Sequence, residues 1–250
     1  MKLNVKREAI PVGTNILNVR VPQQLKQRYK CEVPFIDGAF GGEGFTPSTI
    51  SLFTGEPGAG KTTLMLTLAD ALTSQGYSCV FNTAEESLYQ IKVTCDRLDL
   101  KNGFIAGQES YVPRLLKQCN VIRKQSGKPF FLIVDSLQTL NDGKYGESHT
   151  NSTSAIRSLQ LLTDYAKEHY VNIICIGQVN KSGSMAGSQK LKHMVDAMVH
   201  LSIEKKDEDF KGYRVLQTQK NRFGGAGWTF YLDLNKEGFT EVARVGMGNG

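Results

Sequence analysis

The chain has 250 residues, 40% hydrophobic and 22% charged, with a formal net charge of +6. That composition suits one sizeable globular domain and excludes a fibrous or largely disordered chain. No apolar run approaches the roughly 18 residues that cross a bilayer, and the first residues carry no apolar signal-peptide core, so a cytoplasmic protein without a membrane partner is expected. In chain order, the first element is a basic arm, set at residues 1–34. Within residues 1–30, seven basic side chains (Lys2, Lys6, Arg7, Arg20, Lys26, Arg28 and Lys30) face one acid, Glu8, while the rest of the chain balances at 23 of each sign. Such an arm fits a polyanion such as DNA, an acidic groove on a neighbouring subunit, or a plain solvated terminus.

The core is expected over residues 35–245, with a flexible tail at 246–250. Residues 51–54 read as a short buried strand ending at Gly55. Leu64, Leu68, Ala71 and Leu72 then recur at helical spacing until Gly76. Residues 77–83 predict a second strand, followed by a helix through Ile91, Cys95 and Leu98. A further helix is expected at 112–124, an apolar strand at 130–134, a long polar loop at 139–153, a helix at 154–168 and a strand at 171–176. Short apolar runs separated by helices are what a mostly parallel sheet covered on both faces requires. Beyond Met198 the rhythm changes. Residues 199–203, 213–218 and 229–234 predict an antiparallel extension of the same sheet. The expected fold class is therefore α/β, a mostly parallel sheet with helices on both faces and an antiparallel C-terminal extension.

Gly55, Glu56, Pro57, Gly58, Ala59, Gly60, Lys61 and Thr62 match GxxxxGK[ST] at every fixed position, between a predicted strand and helix. With Thr63, they form the expected phosphate cradle for a nucleoside triphosphate. Backbone N–H groups and the positive end of the helix face the phosphates, Lys61 reaches the β- and γ-oxygens, and Thr62 binds Mg²⁺. Asp135, closing the apolar run 130–134, is the expected second Mg²⁺ ligand. Glu85 follows the second strand and is the candidate for positioning water, while Glu86 is read as a helix N-terminal acid. Gln178 is placed to sense the γ-phosphate or to serve as a structural hydrogen-bonder. Lys220 and Arg222, two apart at a strand end, share a face and suit either an arginine finger or a solvated hairpin tip.

Gly55 to Thr63, Thr83-Ala84-Glu85-Glu86-Ser87, Leu132-Ile133-Val134-Asp135-Ser136-Leu137-Gln138-Thr139 and Lys220-Asn221-Arg222-Phe223-Gly224 together resemble the signatures of the bacterial RadA/Sms family of RecA-type DNA repair ATPases. The resemblance runs from about residue 35 to 243 and implies a RecA-like core, a hexameric ring with ATP between subunits, and single-stranded DNA in the channel. It implies that Lys220 and Arg222 act on the neighbour's nucleotide. It also makes residues 139–153 and 179–190 DNA loops, in which Lys144, Lys181, Gly183, Lys190 and, just beyond, Lys192 meet the phosphates. Gln178 stands where RadA itself more usually has histidine. The family's four-cysteine zinc finger and Lon-protease-like domain have no counterpart in these residues. The scattered cysteines Cys31, Cys79, Cys95, Cys119 and Cys175 likewise form no C-x-x-C pair, so no zinc and a reducing compartment are expected. The leading expectation is a DNA-stimulated ATPase working as a helicase or branch-migration motor. A strand-exchange filament and a nucleotide switch for a protein partner stay open beside it.

Overall fold

A computed structural model describes residues 10, 12–146, 153–178, 188–225 and 228–246. A nine-stranded sheet organises them. In chain order its strands are β1 (Ile50–Gly55), β2 (Ser78–Thr83), β3 (Ile105–Gly107), β4 (Phe130–Asp135), β5 (Asn172–Gln178), β6 (Ala197–Ile203), β7 (Arg214–Asn221), β8 (Trp228–Asn235) and β9 (Gly238–Gly246). Their spatial order is β3-β2-β4-β5-β1-β6-β7-β8-β9. The helices are α1 (Pro34–Ala39), α2 (Lys61–Ser74), α3 (Leu88–Arg97), α4 (Val112–Ser126), α5 (Ser154–His169) and α6 (Ser188–Met194).

The apolar runs are buried on both faces because alternate residues feed two separate layers. On β4, Phe131 and Ile133 join Leu64, Leu68 and Ile91 in a core beneath α2 and α3. Leu132 and Val134, pointing the other way, meet Leu115, Leu162 and Leu191 beneath α4, α5 and α6. Each such fully buried side chain contributes about 1.5–3 kcal/mol of transfer free energy.

The strands from β3 to β6 are mutually parallel, so every C-terminal end lies on one edge of the sheet. The expected mostly parallel sheet with an antiparallel extension is present, with one correction. Residues 199–203 belong to β6, which pairs in parallel with β1 from Ser51↔Ala197 onward, and the antiparallel part begins at β7. The reason is α6, which carries the chain back across the sheet before β6 starts, as a parallel crossover requires. Two edge strands, β3 and β9, were not expected from the apolar pattern, and β9 takes in Gly246, the first residue of the expected tail.

Before α1, two 3₁₀ turns occupy Ile16–Asn18 and Gln23–Lys26. Tyr29 then pairs with Phe45, and Tyr29 and Cys31 are buried in the core. The Asp37 carboxylate accepts from the Cys31 N–H at 3.0 Å and the Glu32 N–H at 2.9 Å. The body of the domain thus reaches back to residue 29, ahead of the expected boundary at 35.

Candidate active site

β1 delivers the chain to the sheet's C-terminal edge, where Glu56 to Gly60 turn it into α2. Gly60, just before the first helical residue, has φ +99°, and a Cβ there would sit 2.8 Å from both Leu234 Cδ2 and Phe239 Cζ. The β8–β9 hairpin therefore lies against the turn. No side chain caps the N-terminus of α2 and no acid occupies its first turn, which leaves its N–H groups for an anion. Lys61 Nζ folds over the turn and donates to Gly55 O and Glu56 O, both at 2.9 Å. Lys205 Nζ meets the Glu56 carboxylate at 2.6 Å, a contact no sequence signal announced.

Thr62 Oγ1 donates to Asp135 Oδ2 at 2.7 Å, joining the start of α2 to the end of β4. Asp135 is buried, and burial pushes its carboxyl up to about 6, helped by the nearby charges of Glu85 and Glu86; the Thr62 hydroxyl and Lys61 pull the other way. Lys61 is shifted down by its own burial, against the pull of Asp135 and Glu85. Both shifts mark a charged site where burial and specific partners meet.

Glu85 leaves the end of β2, where the Thr83 hydroxyl accepts from its N–H at 3.3 Å. Its Oε1 accepts from Ser136 Oγ and, at 2.6 Å, from Gln178 Nε2. Gln178 is clasped in turn by Gln138: its N–H donates to Gln138 Oε1 at 3.2 Å, and Gln138 Nε2 donates to Gln178 O at 3.4 Å. Ser136 and Gln138 thus enter the site as supports. Glu86 does not line the cleft; it precedes the N-cap Ser87 and so stands just outside α3, whose first turn holds no acid, and its N–H donates to the Thr83 hydroxyl at 3.2 Å. Pro57, Gly58, Gly60, Lys61, Thr62, Thr63, Glu85, Asp135 and Gln178 line a cleft of about 530 Å³, closed on its apolar side by Ile176 and Leu234. That volume suits a nucleotide.

The AAA domain matches residues 46–181, which span β1 through β5 and hold every one of those polar groups. The chain belongs to the AAA domain family. The expected likeness to the RadA-type core ATPase also holds. The chain is 32% identical over 209 residues to the DNA repair protein RadA of Aquifex aeolicus, covering 83% of this chain and 44% of that protein. With the Bacillus subtilis RadA it shares 30% identity over 220 residues, covering 86% of this chain and 45% of the relative. It thus spans less than half the length of these curated relatives. Among solved structures, a KaiC-like protein from Pyrococcus horikoshii superposes with a TM-score of 0.67 at 20% identity, covering 87% of this chain and 99% of that one. A second solved structure, itself an isolated ATPase domain, superposes with a TM-score of 0.71 at 17% identity, covering 87% of this chain and 92% of that one. The fold of this AAA-domain protein is accordingly the RecA-like P-loop fold.

The remaining candidates lie elsewhere. Lys220 and Arg222 close β7, which runs against β6 and so ends beside Asp196, at the opposite edge of the sheet from the P-loop. Lys220 Nζ donates to Lys192 O and Val195 O at 2.8 and 2.7 Å, and Arg222 Nη1 meets Asp196 Oδ1 at 3.0 Å. Lys144 stands 5.5 Å from the Tyr145 ring centre, and Lys190 and Lys192 are exposed on α6. Lys181 and Gly183 lie outside the described residues. The first half of the loop at 139–153 is pinned: Leu140 and Asn141 are buried, and Asp142 is paired to Arg157 at 2.6 Å. Among the described residues no cluster of His, Cys, Asp and Glu could hold a metal on its own, and no helix is long and apolar enough to cross a membrane.

Proposed function

We propose that this chain is an ATP-driven DNA motor of the helicase or branch-migration kind. It binds single-stranded DNA in recombination, repair or replication and works as a homo-oligomer, most simply a hexameric ring. The observation that carries the reading is the separation of two sets of charges. Lys61, Thr62, Glu85, Asp135 and Gln178 converge at one end of β1, while Lys220 and Arg222 sit beside Ile50 at the other. A six-residue strand is about 17 Å long, beyond the reach of an arginine side chain. Those two cations suit a neighbour's nucleotide, not their own.

In this mechanism the P-loop amides and Lys61 hold the phosphates of ATP. Thr62 and Asp135 offer the hard oxygen donors that suit Mg²⁺, which when bound shields phosphate charge. Glu85 orients a water for attack on the γ-phosphorus and takes its proton, as ADP leaves. Arg222 and Lys220 of the adjacent copy stabilise the charge that develops in the transition state. Gln178 Nε2 has a choice of acceptors, the Glu85 carboxylate or a γ-phosphate oxygen. Exchange between them would shift the end of β5, which leads into residues 179–190, and so pass the state of the nucleotide to DNA. Lys144, Lys181, Lys190 and Lys192, with the Gly183 backbone, supply salt-sensitive phosphate contacts of little sequence preference.

The test is steady-state ATP hydrolysis with and without single-stranded DNA, for the wild type, Lys61→Ala and Arg222→Ala. Stimulation of the wild type by DNA, silence of both variants and recovery on mixing them support the motor with its finger in trans. Hydrolysis indifferent to DNA, with full activity in Arg222→Ala, would overturn it and favour a nucleotide switch.

A further inference from the structure

Asp196 is a buried carboxylate outside the nucleotide cleft, its side chain only 2% exposed. A buried charge is tolerated only when fully partnered. Its Oδ2 accepts from Lys167 Nζ at 2.7 Å and from the Ile50 N–H at 3.1 Å, and its Oδ1 accepts from Arg222 Nη1 at 3.0 Å. The backbone is tied as well. Asp196 N–H donates to Ile50 O at 2.8 Å, and Arg222 N–H donates to Asp196 O at 2.9 Å. Lys220 is held on the same turn by Lys192 O and Val195 O, at the C-terminal end of α6, where a cation also meets the negative end of the helix dipole.

Half of the Arg222 side chain is nevertheless exposed. Nη1 is the guanidinium nitrogen that Asp196 takes, so the exposed part of the planar fork keeps donors for a further acceptor. We propose that the turn at residues 192–196 is the seat of both finger cations, and that Asp196 is the positioning residue that orients the Arg222 guanidinium for a neighbouring copy's nucleotide. The proposal rests on the trans reading given above.

Mixed subunits separate the donor role from general damage. In the reference mixture, Lys61→Ala chains donate fingers to Arg222→Ala chains, which bind and hydrolyse ATP. Adding Asp196→Asn to the donor is expected to lower the restored kcat about tenfold, the effect of losing a charged hydrogen bond, with KM unchanged. Adding Asp196→Asn to the acceptor instead is expected to leave kcat as in the reference. Equal activity with both donors, or an equal loss from donor and acceptor, overturns the proposal. A silent reference mixture brings down the trans finger itself, and the seat with it. Should Asp196→Asn not fold, Lys167→Gln/Asp196→Asn removes the buried pair together and carries the same comparison.

Discussion

Thr62 and Asp135, 73 positions apart in sequence, share a 2.7 Å hydrogen bond that joins the start of α2 to the end of β4. It is a short bridge between an oxygen donor and a carboxylate that burial holds well above its ordinary range. The folded carboxyl keeps its proton up to about pH 6, whereas in the unfolded chain it ionises near 3.8. The unfolded state therefore binds fewer protons between those values, and stability falls as the pH rises through them. Asp135→Asn is expected to raise the stability of the protein without nucleotide at pH 7.5 by about 3 kcal/mol, from a shift of roughly two pH units. The gain should vanish below about pH 4, while ATP hydrolysis is lost at every pH. Urea unfolding of both proteins at pH 4, 6 and 7.5 checks the sign.

Glu85 is held by two side chains from separate strand ends, Ser136 and Gln178. Glu85→Gln keeps the shape of that contact and removes the carboxylate proposed as the base. It should lower kcat by about 10²–10⁴ while ATP binding stays within a few-fold. Equilibrium binding of a fluorescent ATP analogue, set beside turnover, separates the two. A parallel loss of binding would remove Glu85 from the chemistry.

Gly60 has both a positive φ and no room for a side chain, with Leu234 and Phe239 2.8 Å from where a Cβ would stand. Gly60→Ala should lower stability by about 1–3 kcal/mol and weaken ATP binding, because the turn cannot keep its shape. Gly76, with φ +82° but open space around it, makes the control. Gly76→Ala should cost only about 1 kcal/mol and leave ATP binding untouched.

Lys205 offsets a negative charge inside the P-loop itself, on Glu56. Lys205 is largely exposed, so Lys205→Ala should change stability by less than about 1 kcal/mol. Its effect belongs on the nucleotide: an unpaired Glu56 beside the phosphates should weaken ATP binding a few-fold at low salt and less at high salt. Adding Glu56→Gln should restore the affinity. Titrations at two ionic strengths read both effects.

The nucleotide cleft was legible because its chemistry is local. A glycine turn must be followed by Lys61 and Thr62, and Asp135 must close an apolar strand; these requirements leave marks a few residues long. Glu85 and Gln178 were readable from their places after buried strands, but their contact with each other was not, since it joins β2 to β5 across β4. The direction of β6 was illegible for a related reason. Ala197 to Leu201 reads the same for either direction, and the turn of the chain through α6 decides it. β3 and β9 escaped because edge strands are half exposed. Ile105, Val242 and Val245 all face solvent, and Arg244 interrupts the apolar alternation. The ion pairs of Asp196 were not legible, because its three donors come from three distant parts of the chain.

Leu234 and Phe239, at the tip of the β8–β9 hairpin, rest on the turn that opens α2, about 175 residues earlier in the chain. The ribosome delivers the P-loop long before the hairpin that packs on it. A nascent chain that stops short of residue 234 carries the whole phosphate motif yet lacks the side chain that, with Ile176, closes the apolar side of the cleft. A phosphate turn complete in sequence thus stays incomplete in structure until the last hairpin of the sheet has been made.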